Sequence, residues 1–173
     1  TSIMAQKLNI PLLSIDQIDQ IDLTVDGADE IDPNFNGIKG GGGALLVEKI
    51  IASISKENIW VIDSNKLVNK LGAFPLPIEV VPYAISTVMK KLEKKNFKPS
   101  IRKFNNMNFI TDNNNFIIDL NLGHIKDPKC LEIELNMIPG VIENGLFLNT
   151  VDTVIVGKSS EYEILENKFN ILN

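Results

Sequence analysis

Four consecutive glycines, Gly40 to Gly43, follow Lys39 and run directly into an apolar helix pattern, and this junction limits what the chain can be. No side chain there keeps an anion from touching the backbone, and the N–H groups that open the next helix point outward with a partial positive charge. Upstream, Asp22 to Val25 reads as a strand and Asp26-Gly27-Ala28-Asp29-Glu30 as an acidic turn, so Asp22 to Ile54 is a strand, a loop and a helix in order. Lys39 adds a full positive charge, while Asp26, Asp29 and Glu48 supply carboxylates able to move protons. The run is not a dinucleotide fingerprint, which would need Gly at Leu45, nor a Walker A loop, since no Gly-Lys-Ser/Thr follows. A flexible linker would not stand one turn from a buried helix. An enzyme site for a small anion is the reading these residues support.

With 44% apolar and 23% charged residues over 173 positions, the composition is that of a globular chain with room for one domain or two small ones. A net charge of −5 argues against nucleic acid, which requires clustered Lys and Arg. The one basic cluster, Lys90-Lys91-Leu92-Glu93-Lys94-Lys95, suits a solvated helix end. Cys130, the single cysteine, fits a buried filler and a reducing cytoplasm. No apolar run approaches the roughly 18 residues of a membrane helix, and no signal peptide precedes the first strand.

Ser2 to Leu8 reads as a short helix, Ile10 to Leu13 as a strand, and Ser14 as the cap of a turn into the strand Ile21 to Val25. Gly43 to Ser55 is expected as a helix, largely buried because Leu45, Leu46, Val47, Ile50, Ile51 and Ile54 leave almost no polar face. Ile59 to Ile62 has the pattern of a parallel strand covered on both sides, with Asp63-Ser64-Asn65-Lys66 at its C-terminal end. Asp26 and Lys66, each just past such an end, can therefore face one crevice. After Pro75 and Pro77 the pattern changes. Ile78 to Val81 is a strand, and a helix follows with Ile85, Val88, Met89 and Leu92 on one face. A hairpin is expected from Asn108 to Thr111 and Phe116 to Leu120, then a helix capped by Asp127-Pro128, then a last strand at Gly145 to Asn149. That order is βαββαβ, a ferredoxin-like unit. Thr153 to Val156 reads as a strand returning to the first sheet, with room for one more in the tail from Ser159 to Asn173.

The expected class is thus α/β: a Rossmann-like parallel-sheet domain formed by residues 1–75 and 150–173, with a ferredoxin-like α+β domain, 76–149, inserted in it. Asp32-Pro33-Asn34-Phe35-Asn36-Gly37 resembles half a calcium loop, but the bidentate Glu would have to stand at Gly43, so these residues read as turn formers. Glu48 shares a helix face with Ala44, Leu45, Ile51 and Ala52. A carboxylate there loses solvation, as a working base does, although a pairing with Lys49 or Lys39 is the alternative. His124 has no His partner for zinc and reads as a surface residue.

The segments VDGADEID, IKGGGGALLVEKIIA, DSNKLV and GAFPLPIEVVP, followed by TDNNNFIIDL, IPGV and GLF, closely resemble the ribose-5-phosphate isomerase type A family over nearly the whole chain. The resemblance implies interconversion of D-ribose 5-phosphate and D-ribulose 5-phosphate, a pentose phosphate chemistry that runs through an enediolate with no metal and no cofactor. It implies that Asp26, Gly27, Ala28 and Asp29, then Lys39, Gly40, Gly41 and Gly42, bind substrate, that Glu48 is the proton acceptor and that Lys66 is a substrate contact. It also implies a homo-oligomer, dimer or tetramer, and no nucleic-acid or membrane partner. The family's opening helix, strand and phosphate-gripping Gly-Thr-Gly-Ser-Thr loop have no counterpart here, and Thr1-Ser2 aligns before the helix after the family's second strand. Part of the catalytic domain is accordingly expected upstream, and the 173 residues alone are expected to be inactive, with a sheet edge and an apolar helix face uncovered. A sugar-phosphate-sensing domain of a regulator is the rival reading. It would need neither Glu48 nor Asp26 as a proton carrier.

Overall fold

A short helix α1 (Ser2–Lys7) and a 3-10 turn at Ile15–Gln17 precede strand β1 (Ile21–Asp26) in the computed structural model, which describes residues 2–168. The turn is fastened where the Ser14 N–H donates to Gln17 Oε1 at 3.2 Å. Ile10 to Leu13 forms no strand: its four residues are exposed and pair with no other strand among the described residues, and an apolar run without a ladder partner stays irregular. Next come β2 (Glu30–Ile31) and β3 (Gly37–Ile38), an antiparallel pair. Their turn is closed by the Asp32 carboxylate, which accepts the backbone N–H groups of Asn34 and Asn36 and the Asn36 amide.

Helix α2 (Leu46–Ser53) then leads to β4 (Ser55–Asp63) and, past a 3-10 turn at Ser64–Lys66, to β5 (Leu76–Val80). Helix α3 (Ile85–Lys94), β6 (Pro99–Ile101), the small hairpin β7 (Lys103–Phe104) and β8 (Met107–Asn108), and β9 (Phe116–Leu120) follow. The chain continues through α4 (Pro128–Asn136), β10 (Val141–Asn144), β11 (Leu146–Phe147), β12 (Thr153–Gly157) and β13 (Tyr162–Glu166). So the expected extra tail strand exists as β13, and the tail's last five residues lie outside the described ones.

One sheet has the order β1-β4-β12-β13, parallel through β12 and closed by antiparallel β13. Trp60, Ile62, Val154 and Val156 point from it into a core shared with Ile31 and Phe147. The opposite face carries Leu23, Val25 and Val61, all exposed, so β4 is covered on one side only among the described residues. Helix α2 likewise keeps Val47 and Ile50 exposed and buries only Ala52, against the expectation of a largely buried helix. Both departures share one cause, since an apolar pattern records what a face prefers to contact and not whether a contact is present.

The second sheet, β10-β5-β9-β6, is antiparallel throughout, with α3 and α4 packed on it through Val88, Leu92, Leu131 and Leu135. Its element order is the βαββαβ of a ferredoxin-like unit, with two boundaries moved. Strand β9 pairs with β6, and the expected partner Asn108 to Thr111 contributes only the Ile110–Phe116 bridge. Asn105 and Asn106, at φ 51° and 64°, let Lys103–Phe104 and Met107–Asn108 fold on themselves in a two-residue hairpin turn instead. The unit's last strand is Val141–Asn144, while Leu146–Phe147 crosses to β3 and makes a separate three-stranded sheet, β11-β3-β2. Cys130 is exposed rather than buried, because the inward stripe of α4 falls on Leu131 and Leu135. No helix among the described residues is long and apolar enough to cross a membrane.

Candidate active site

Strand β1 ends at Asp26, which sits level with Trp60 of β4, so its carboxylate emerges at the C-terminal edge of the parallel sheet. Lys39 reaches the same point from the end of β3. Its ammonium lies 2.7 Å from Asp26 Oδ2 and also donates to the Gly27 carbonyl. The aromatic rings of Trp60 and Phe147 stand 5.6 and 5.4 Å from Nζ, so the Lys39 stem is enclosed by π faces that favour a cation. Lys39 is 5% exposed, whereas the Asp26 side chain keeps 34% of its surface. With two of three ammonium donors engaged, one N–H is left for a ligand. Asp26 in turn is held by Lys39 and by the Gly27 N–H at 2.7 Å from Oδ1.

The glycine run bends away from Lys39 in a tight turn, in which the Gly43 N–H donates to the Gly40 carbonyl at 2.9 Å. Gly40 and Gly43 have φ of 103° and 91°, the left-handed region in which a side chain would be strained. Asp29 accepts the Gly41 N–H at 2.7 Å, so its carboxylate orients the glycine run and does not pair with Lys39. Downstream, α2 opens without a side-chain cap, and Glu48 stands in its first turn. Glu48 Oε2 is buried and has no hydrogen-bond partner. Neither Lys49, which pairs with Glu143 at 2.7 Å, nor Lys39 is bonded to it. A buried carboxylate oxygen with nothing to accept from is costly unless a ligand comes to it.

One cavity of about 260 Å³ brings these groups together: Asp26, Gly27, Ala28, Asp29, Lys39, Gly40, Gly41, Gly42, Ala44 and Glu48 line it. Lys66 does not. Its ammonium is 6.0 Å from the ring centre of Phe74, and that ring abuts Gly41, so Lys66 stands one aromatic layer behind the glycine run. Glu30, the remaining acid of the turn, is buried and accepts the N–H groups of Gly72 and Phe74 at 2.7 and 2.6 Å, a structural use. His124 is exposed, and no three His, Cys, Asp or Glu side chains among the described residues converge to hold a metal ion. Two residues next to the site escaped the sequence reading. Arg102 bonds the carbonyls of Gly40 and Gly41, and Phe109 packs on Gly43. Arg102 is the only arginine among 17 basic residues, a signal that was there to be used.

A lysine–carboxylate pair, a glycine run and a buried carboxylate oxygen without a hydrogen-bond partner around one cavity at a sheet's C-terminal edge are the arrangement of an α/β enzyme acting on a small molecule. Residues 1–161 match the family model described as ribose 5-phosphate isomerase A (phosphoriboisomerase A), and the chain belongs to that family. Ribose-5-phosphate isomerase A of Streptococcus mutans is 54% identical over 166 residues, which cover 96% of this chain and 74% of the relative. A solved D-ribose-5-phosphate isomerase in complex with phospho-erythronic acid superposes with a TM-score of 0.91 at 48% identity, over 95% of this chain and 73% of that one. The ribose 5-phosphate isomerase of Plasmodium falciparum superposes with a TM-score of 0.92 at 37% identity, over 97% and 75%. The fold is accordingly the Rossmann-like one with an inserted small α+β domain.

Proposed function

We propose that Glu48 is the general base of an aldose–ketose isomerase that interconverts D-ribose 5-phosphate and D-ribulose 5-phosphate, the reaction after which the family is named. The observation that carries this reading is the buried, unpartnered Glu48 Oε2 on the wall of the cavity that holds Lys39 and Asp26. Glu48 takes the C2 proton of the open-chain aldose and returns it to C1, so one carboxylate serves both carbons. The electron pair left at C2 spreads onto O1 as an enediolate. Lys39 and the Gly42 N–H stabilise that charge, a contribution of about 3–4 kcal/mol per donor in sites of this kind. Asp26, whose side chain keeps a third of its surface exposed and is bonded to Lys39, moves protons between O1 and O2. Asp29 keeps the glycine run in place, Gly27, Ala28 and Gly40 to Gly42 form the substrate-facing wall, and Lys66 supports it from behind Phe74.

The division of labour that fits this reading assigns residues 1–75 and 150–173 to the catalytic unit and 76–149 to the inserted one, in a homo-oligomer of the cytoplasm. The relatives named above are isomerases, which favours an enzyme over a non-catalytic sensor of sugar phosphates. The test is isomerase assay of the full-length protein beside Glu48→Gln. Loss of turnover by about 10²–10⁴-fold with unchanged ligand affinity is expected, and turnover near that of the wild type removes Glu48 from the mechanism.

A further inference from the structure

Among the described side chains that the ferredoxin-like unit brings to the site, Arg102 is the one that hydrogen-bonds the glycine run. Arg102 follows β6, and its backbone is fixed on both sides: its N–H donates to the Ile117 carbonyl at 2.8 Å, and its carbonyl accepts the Phe109 N–H at 2.9 Å. The guanidinium is gripped by Asp119 of β9, through Nε to Oδ2 at 2.9 Å and through Nη2 to Oδ1. Nη1, the remaining nitrogen, donates to the Gly40 carbonyl at 2.7 Å and to the Gly41 carbonyl at 3.0 Å. Both Arg102 and Asp119 are mostly buried, and the Phe109 ring that covers the guanidinium also packs on Gly43.

Across a trans peptide the carbonyl and the following N–H point in opposite directions. Fixing the Gly41 carbonyl on Arg102 therefore turns the Gly42 N–H the other way, and fixing the Gly40 carbonyl turns the Gly41 N–H onto Asp29, where it is found. A Cβ built on Gly42 would meet nothing within 4 Å, so the peptide is held by the Gly43-to-Gly40 hydrogen bond that closes the turn and by the Arg102 bond to the Gly41 carbonyl. We infer that Arg102, locked by Asp119, is the positioning residue that aims the Gly42 N–H at the reacting oxygens, while the Gly41 N–H stays on Asp29, and so couples the ferredoxin-like unit to catalysis.

Charge alone does not explain the choice of residue. Every other cation in the chain is lysine, and a lysine could neutralise Asp119 as well. A planar fork is needed to hold a carboxylate with two nitrogens and two carbonyls with the third. This inference rests on the active-site reading above and is tested so that the two can fail separately.

In the full-length protein, Arg102→Lys is expected to lower kcat by about 10²-fold while KM shifts by less than about threefold, with the thermal midpoint kept. Added guanidinium ion should restore part of the turnover of Arg102→Ala, and Asp119→Asn should show the same kcat-weighted loss in weaker form. Amide hydrogen exchange at Gly41 and Gly42, read without substrate, should rise in Arg102→Lys. Wild-type turnover in Arg102→Lys while Glu48→Gln is dead would overturn the role of Arg102 and leave Glu48 in place. Unchanged exchange at both glycines overturns it whatever the kinetics. A full-activity Glu48→Gln beside a crippled, guanidinium-rescued Arg102→Ala would instead keep the positioning role and remove the base.

Discussion

Lys39 Nζ lies 2.7 Å from Asp26 Oδ2, and the two side chains come from the ends of β3 and β1, strands of different sheets. The pair holds both the ammonium and the carboxylate at the cavity wall. Lys39→Met is expected to reduce kcat by about 10²–10³-fold with a smaller change in KM, because the lost donor acts on charge that develops during the reaction. A change confined to KM would reassign Lys39 to uniform substrate binding.

In the proposed mechanism, positive charge at the reacting oxygens comes from the Lys39 side chain and a backbone N–H group. A strong chelator should therefore leave turnover unaltered. Activity lost to EDTA and restored by magnesium or calcium would point back to the Asp32–Gly37 turn, where the Asp32 carboxylate is otherwise occupied by the N–H groups of Asn34 and Asn36.

Neighbouring glycines of the run should respond differently to the same change. A Cβ on Gly41 would fall 2.6 Å from Asp29 Oδ1 and 2.8 Å from Phe74 Cζ, whereas one on Gly42 would meet nothing within 4 Å. Gly41→Ala is expected to cost about 1–3 kcal/mol of stability through overpacking. Gly42→Ala should stay within about 0.5 kcal/mol of wild type. Urea titration of both variants checks the contrast, and equal costs would mean that Asp29 and Phe74 move aside freely.

Glu30 was grouped by sequence with Asp26 and Asp29, yet it turns inward and holds the Gly72 and Phe74 N–H groups. Substituting Leu leaves two buried donors unpaired, at about 1–3 kcal/mol each. Lower stability is the expected result, with kcat per folded molecule retained. A catalytic defect without destabilisation would place Glu30 in the chemistry after all.

What could be read in advance and what could not divides along physical lines. The strand–loop–helix from Asp22 to Ile54 was legible because glycine, lysine and carboxylate chemistry is local. Of the residues lining the cavity, Asp26, Asp29, Lys39, Glu48 and the glycines of the run follow from that chemistry, while Gly27 and Ala28 were reached through the family resemblance. The βαββαβ order was legible from periodicity. Pairing was not: Phe116–Leu120 could take Asn108–Thr111 or Pro99–Ile101 as its neighbour, and only tertiary geometry, with Asn105 and Asn106 turning the intervening chain, selects the latter. Helix α2 looked buried because Val47 and Ile50 are apolar, though both are exposed. Arg102 lies 62 residues from Gly40 in sequence, and no local pattern announces a contact of that span.

One titration away from the active site is also open to measurement. Glu132, on α4, has its carboxyl pushed above the usual glutamate value of 4.5, chiefly by burial and further by the charge of Glu143, against the opposing pull of Lys49 and Lys129. In the folded protein Glu132 therefore holds its proton to higher pH than in the unfolded chain. Its contribution to stability is fully present below the unfolded value and is lost as the pH rises through the folded one, so at neutral pH the ionised group is a net cost. Glu132→Gln removes that cost. The thermal midpoint of the variant is expected to exceed that of the wild type at pH 7, and the gap should close as the pH falls below about 4. A midpoint difference independent of pH would show that packing, not ionisation, distinguishes the two side chains.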